Sequence, residues 1–71
     1  MEWVIVTYPR TRDVFIDTRR SGQTNRLLIV SEGTHEFHLG VPVDYRPRKR
    51  VVPVTDTTPD DPLKIAFAPI P

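Results

Sequence analysis

The length of its apolar runs constrains this chain more than any other feature. Trp3-Val4-Ile5-Val6, Val14-Phe15-Ile16, Leu27-Leu28-Ile29-Val30, Phe37-His38-Leu39, Val51-Val52-Pro53-Val54 and Leu63-Lys64-Ile65-Ala66-Phe67 follow one another, parted by segments rich in Pro, Gly, Asp, Asn and Thr. Runs of this size suit strands, and the residues between them are turn formers. No segment repeats apolar residues at the three-and-four spacing by which a helix buries one face. The pattern predicts an all-β fold: a two-layer antiparallel β-sandwich of six or seven short strands, with a small closed β-barrel as the alternative.

The expected strands are residues 3–8, ended by Pro9, then 13–17, 27–30, 34–39, 49–54 and 63–67. In the second, Val14 and Ile16 point one way and Phe15 the other. In the fourth, His35, Phe37 and Leu39 share one face, and Thr34, Glu36 and His38 the other. Thr18-Arg19-Arg20-Ser21-Gly22 reads as a hairpin loop, and residues 40–47 and 55–62 as longer loops. Pro53 removes a ladder donor, so its strand belongs at a sheet edge or carries a bulge.

With 71 residues, the chain is one domain, residues 1–71, and buries only about 60–65% of the surface its unfolded form exposes. The expected core is Ile5, Val14, Ile16, Leu28, Val30, Phe37, Leu39, Val52, Val54, Leu63, Ile65 and Phe67. There is no cysteine, so neither a disulfide framework nor a thiolate zinc site is available. The start Met1-Glu2-Trp3 has no basic segment, and the apolar run after it is too short for a signal peptide or a membrane span. The expectation is a soluble, cytoplasmic protein without a transmembrane segment.

The middle of the chain carries a more specific pattern. Pro9, Val14-x-Ile16-Asp17, Gly22-x-Thr24, Leu28, Glu32-Gly33-x-His35-x-Phe37-x-Leu39, Tyr45 and the Val52/Val54 run together resemble a PEGA domain over residues 9–67. Pro9-Arg10-Thr11-Arg12 replaces the family's name-giving tetrapeptide, Thr18 stands where Gly is usual, and Asn25 where Pro is usual. The resemblance implies a small β-sandwich module of the kind attached to larger, often cell-envelope, proteins. It implies no catalytic residues.

Nor do the residues assemble a catalytic set of their own. Ser21 and Ser31 sit beside Gly22 and Glu32-Gly33, as turn serines do. His35 falls on the core side of its strand and His38 on the other, so the two cannot meet as metal ligands within that strand. Asp56, Asp60 and Asp61 have no spacing that defines a calcium loop. The chain is read as no enzyme, with no cofactor and no metal.

Charge and apolar surplus point instead to contacts. Ten basic residues oppose nine acidic ones, and eight of the ten are Arg. They cluster at Arg10/Arg12, Arg19/Arg20/Arg26 and Arg46/Arg48/Lys49/Arg50. Arg suits carboxylate and phosphate, although charge on an edge strand also guards against sheet-to-sheet pairing. Meanwhile residues 3–8 and 27–30 are apolar on both faces, where a two-layer sandwich needs only one. The expected function is a non-enzymatic interaction module, an accessory or structural subunit that docks on a larger assembly or on itself. Trp3, Val4, Val6, Tyr8, Leu27 and Ile29 are its candidate apolar contacts. Arg10, Arg12, Arg19, Arg20, Arg46, Arg48, Lys49 and Arg50 are its candidate orienting charges. Two alternatives stand beside it: a polyanion-binding module for nucleic acid or an anionic polysaccharide, and a carbohydrate-binding module stacking sugars on Trp3 and Tyr45.

Overall fold

Side chains on a strand alternate between faces, and nine strands carry that alternation in a computed structural model that describes residues 1–71. They are β1 (Glu2–Thr7), β2 (Asp13–Ile16), β3 (Arg19–Gln23), β4 (Leu27–Val30), β5 (Gly33–His38), β6 (Tyr45–Arg46), β7 (Arg50–Val54), β8 (Leu63–Ala66) and β9 (Ala68–Pro69). Six of them fall on the six apolar runs; β3, β6 and β9 are additional. The order β4-β1-β8 forms a three-stranded sheet, β3-β2-β5-β7 a four-stranded sheet, and β6-β9 a short two-stranded piece. The two larger sheets are the leaves of a small β-sandwich without a helix or a closed barrel.

Most pairs are antiparallel. The exception is β1 with β8, which run parallel from Val4 opposite Leu63 to Thr7 opposite Ala66. The expected sandwich is present, and this one parallel pair is its departure from antiparallel order. The chain between them passes through the whole opposite leaf, a connection long enough to bring two strands side by side in the same direction. Pro53 lies on β7, an edge strand of its sheet, as its missing donor requires.

The segment expected as a loop at residues 18–22 is mostly strand β3. Ile16 pairs with Arg19, so only Asp17 and Thr18 make the turn, at φ +53° and +70°. Positive φ at both central positions gives the tight hairpin turn whose twist matches the flanking strands. Asp17 also ties this turn to β5: its N–H donates to Glu36 O at 2.9 Å, and its Oδ1 accepts the Glu36 N–H at 3.0 Å.

The core lies between the leaves. Val4, Val6, Val30 and Ile65 of one sheet oppose Val14, Ile16, Phe37 and Val54 of the other. Tyr8, Leu39 and Phe67 each sit one residue past a strand end and extend this core with Tyr45. Leu28, Val52 and Leu63 pack on its margin. Ile5, expected inside, faces out, and Val4, Val6 and Tyr8 take the inner face. Across one margin the leaves approach closely at a glycine: a Cβ on Gly22 would lie 2.4 Å from Leu28 Cδ2.

Two side-chain staples fasten the connectors. Buried Thr24 donates from Oγ1 to Arg10 O at 2.7 Å and accepts the Arg12 N–H at 2.9 Å. Next to it, Asn25 accepts the Tyr8 N–H at 3.2 Å and donates to Tyr8 O at 2.7 Å, so its amide continues the β1 ladder past the strand end. At the other end, Glu2 Oε1 accepts from both the N–H (2.8 Å) and the Oγ1 (2.6 Å) of Thr57, which pins the 55–62 loop to the start of β1. These bonds hold the Glu2 carboxyl below its ordinary range.

Candidate functional site

The outer face of the three-stranded sheet is set by the registers. Trp3 pairs with Ile29 and Ile5 with Leu27, while Ile5 also pairs with Lys64 and Thr7 with Ala66. Directly paired residues share a face, so Trp3, Ile5, Leu27 and Ile29 form one apolar block on the solvent side, and Lys64 is the only charge on these paired positions. Leu27 is 45% exposed and Ile29 57% exposed; Trp3 and Ile5 are half-buried. Of the six expected apolar contacts, Trp3, Leu27 and Ile29 are therefore on this surface. Val4, Val6 and Tyr8 are not: they are buried in the core, because β1 presents its even-numbered residues inward. Tyr45, the second aromatic of the carbohydrate reading, is 2% exposed and offers no ring face to a sugar.

The sheet edges differ in how they are guarded. Proteins protect open edges with charge, proline or irregular pairing. Among the four edges of the two leaves, β3 carries Arg19 and Arg20 and pairs irregularly with β2. On β7 stand Arg50 and Pro53, and on β8 stands Lys64, just after Pro62. β4 reads Leu27-Leu28-Ile29-Val30, with none of these devices within the strand, although Arg26 stands just before it. The unguarded edge is thus the one that borders the apolar block.

The Arg clusters are dispersed by the fold. β3 and β7 lie at opposite edges of the four-stranded sheet, so Arg19/Arg20 and Arg48/Lys49/Arg50 do not merge into one basic stripe. Arg20 pairs with Asp13 at 3.2 Å across β2 and β3. Arg50 donates to Ala66 O at 3.3 Å and bridges the leaves. Arg10, Arg19, Arg46 and Arg48 make no ion pair, and all four are exposed.

Arg12 is consumed inside the structure, which corrects its assignment as an outward contact. Its guanidinium donates to Asp44 Oδ1 at 2.7 Å, Pro42 O at 2.8 Å and Leu39 O at 3.3 Å. It also lies over Tyr8 and Tyr45, 5.9 and 5.3 Å from their ring centres. The fork holds the 40–45 loop against the core and keeps the Asp44 carboxyl below its ordinary range. An Arg in a connector gives no sequence signal for such a role.

Three side chains that resemble a hydrolytic set do meet. His35 Nδ1 lies 2.5 Å from Asp17 Oδ2, its Nε2 lies 2.7 Å from Ser31 O, and Ser31 Oγ is 3.4 Å from the same Nε2. Both ring nitrogens face acceptors, an arrangement that favours the doubly protonated ring. A general base needs a free lone pair aimed at the hydroxyl, and here Nε2 serves the backbone carbonyl at the shorter distance. The arrangement is a clamp between the 17–18 turn and the 31–32 turn. The Asp17 hydrogen bond raises the His35 pKa, and the Glu36 N–H, then His35, lower that of Asp17.

A cavity of about 330 Å³ opens at the end of the four-stranded sheet, lined by His38, Gly40, Val41, Val43, Tyr45, Arg48 and Lys49. Phe15 and His38 stack on the outer face, with ring centres 5.0 Å apart and planes 3° from parallel. Gly40 closes on this stack: at φ +72° its missing Cβ would lie 2.6 Å from Phe15 Cε1. The Gly40 N–H donates to His38 Nδ1 at 3.0 Å, which leaves the ring proton on Nε2. Tyr45 Oη donates to Gly40 O at 2.9 Å and accepts the Leu39 N–H at 3.1 Å. Sequence reading placed Arg48 and Lys49 among the contact residues but gave no sign that His38 and Gly40 join them. Comparison with family models, with curated proteins and with solved structures returned no match.

Proposed function

We propose that this protein is a non-enzymatic docking module that uses the outer face and open edge of its three-stranded sheet, and that the first occupant of that edge is a second copy of the same chain. One observation carries the reading: the single unguarded edge, β4, adjoins the exposed Leu27 and Ile29 and the half-buried Trp3 and Ile5. Exposed apolar blocks of this kind mark contact surfaces, and an open strand edge offers main-chain donors and acceptors to another strand. Antiparallel pairing of two β4 strands centred on Ile29 keeps Leu27 and Ile29 of both copies on one outer face. The same register sets Arg26 of each copy across from Glu32 of the other, giving two opposite-charge pairs at the ends of the seam. The PEGA-like pattern supports a module without chemistry of its own.

Four residues a side make a small seam, so weak association is expected, in the class of interfaces below about 1,200 Å². Size-exclusion chromatography with light scattering, carried to millimolar protein, tests it. The wild type is expected to shift from monomer to dimer with concentration, and Ile29→Lys to stay monomeric. A wild type that remains monomeric throughout, or an Ile29→Lys variant that dimerises as well as the parent, would remove the β4 reading.

A further inference from the structure

We propose that the cavity around His38 and Arg48 is a binding site for a carboxylate carried on a small apolar body, such as the acidic end of a peptide. Its charged and imidazole side chains, His38, Arg48 and Lys49, can each donate hydrogen bonds. His38 carries its ring proton on Nε2 because Nδ1 is occupied by the Gly40 N–H, and stacking on Phe15 fixes the ring plane. Arg48 brings a guanidinium with no ion partner, and Lys49 an ammonium. Tyr45 Oη already has both its partners in the chain. No carboxylate lines the wall, so the cavity suits a ligand that only accepts hydrogen bonds and carries negative charge.

Charge balance selects among such ligands. Lys49 is shared with Glu36 Oε1 at 3.4 Å, so the uncompensated charge at the cavity is close to that of Arg48 alone. A carboxylate matches one positive charge, whereas a phosphate monoester brings roughly −1.5 to −2. Val41 and Val43, 87% and 40% exposed, supply the apolar wall for the body that bears the acid. A volume of about 330 Å³ lies at the small end of ligand-sized sites, enough for one acidic residue and part of its neighbour.

This site lies on the opposite leaf from the β4 edge and stands whether or not the chain dimerises. The test is an amide chemical-shift titration of the full chain with three probes at low salt: N-acetyl-leucine, its uncharged amide, and phenyl phosphate. The acid is expected to move the amides of Gly40, Val41, Val43, Arg48 and Lys49, and the uncharged amide to leave them in place. Arg48→Gln, a change at an exposed position, is expected to weaken the acid about tenfold while the remaining spectrum stays folded, the size of one charge-assisted contact. Equal shifts from acid and amide would overturn the site. So would tighter binding of phenyl phosphate than of the acid, which would move the reading to phosphate-bearing partners such as nucleic acid. Shifts spread evenly over Arg19 and Arg20 would overturn it as well, because they report diffuse attraction to any cation.

Discussion

Thr18 shows how much a single residue can be made to bear. It is β-branched, yet it holds φ +70° as the second residue of the β2–β3 turn. A left-handed conformation costs a non-glycine residue about 1–2 kcal/mol, while glycine costs about 0.5–1 kcal/mol in lost backbone entropy, so Thr18→Gly is expected to stabilise the fold by a net amount on the order of 0.5–1 kcal/mol. Urea unfolding monitored by tryptophan fluorescence checks this, and an unchanged or lowered midpoint would show that the turn is not strained. Asn25 takes φ +64° as well, but its amide is repaid with two bonds to Tyr8, so no such gain is expected there. Arg12 shows what was illegible at this scale. In the sequence it is one more member of a basic cluster; its role depends on Asp44, Pro42 and Leu39 arriving from a loop far along the chain.

Among the elements, those with a clear period of two were legible and those without were not. β2 and β5 alternate, and the structure buries Val14, Ile16, Phe37 and Leu39 while setting Phe15 and His38 on the outer face, as their spacing indicates. β3 reads Arg-Arg-Ser-Gly-Gln, with no apolar face, and its turn lacks a glycine at Asp17 or Thr18, so the hairpin was legible but its turn was placed too far along the chain. β6 and β9 have two residues each, too short for any period. The His35–Asp17 clamp joins two turns and gives the fold a pH dependence of definite sign. His35 has its pKa raised above the ordinary 6.5, so its contribution is full below that value and is lost as pH rises through the folded one. Asp17 has its pKa lowered below 3.8, so its contribution is present above that value and is lost as pH falls through the folded one. The clamp is therefore at full strength between the two ordinary values and weakens as pH rises through the folded pKa of His35. Comparing urea midpoints of the wild type and His35→Gln at pH 5.5 and 8.5 is expected to show the larger difference at pH 5.5; equal differences would mean that the imidazolium contributes nothing.

At the scale of the whole molecule, a core of 12 side chains in 71 residues leaves a modest margin of stability, and association through β4 would add to it by mass action. The thermal midpoint is accordingly expected to rise with protein concentration in the wild type and to be flat in Ile29→Lys; a flat wild-type midpoint would count against the second copy. The sequence alone determined the all-β class, the places of six strands, the inner faces of β2 and β5 and the restriction of the Pro53 strand to an edge or a bulge, because strand periodicity and turn chemistry are local properties. It also exposed a surplus of apolar faces without saying which would be buried. A strand apolar on both sides, such as β1, carries no local mark of its inner face. Tertiary structure decided that, by seating β1 between β4 and β8 so that Val4 and Val6 meet the opposite leaf and Trp3 and Ile5 meet solvent. It decided equally that His38, Gly40 and Arg48 share a cavity and that Arg12 is spent within the fold, because such meetings depend on how distant strands stack, which no local spacing encodes.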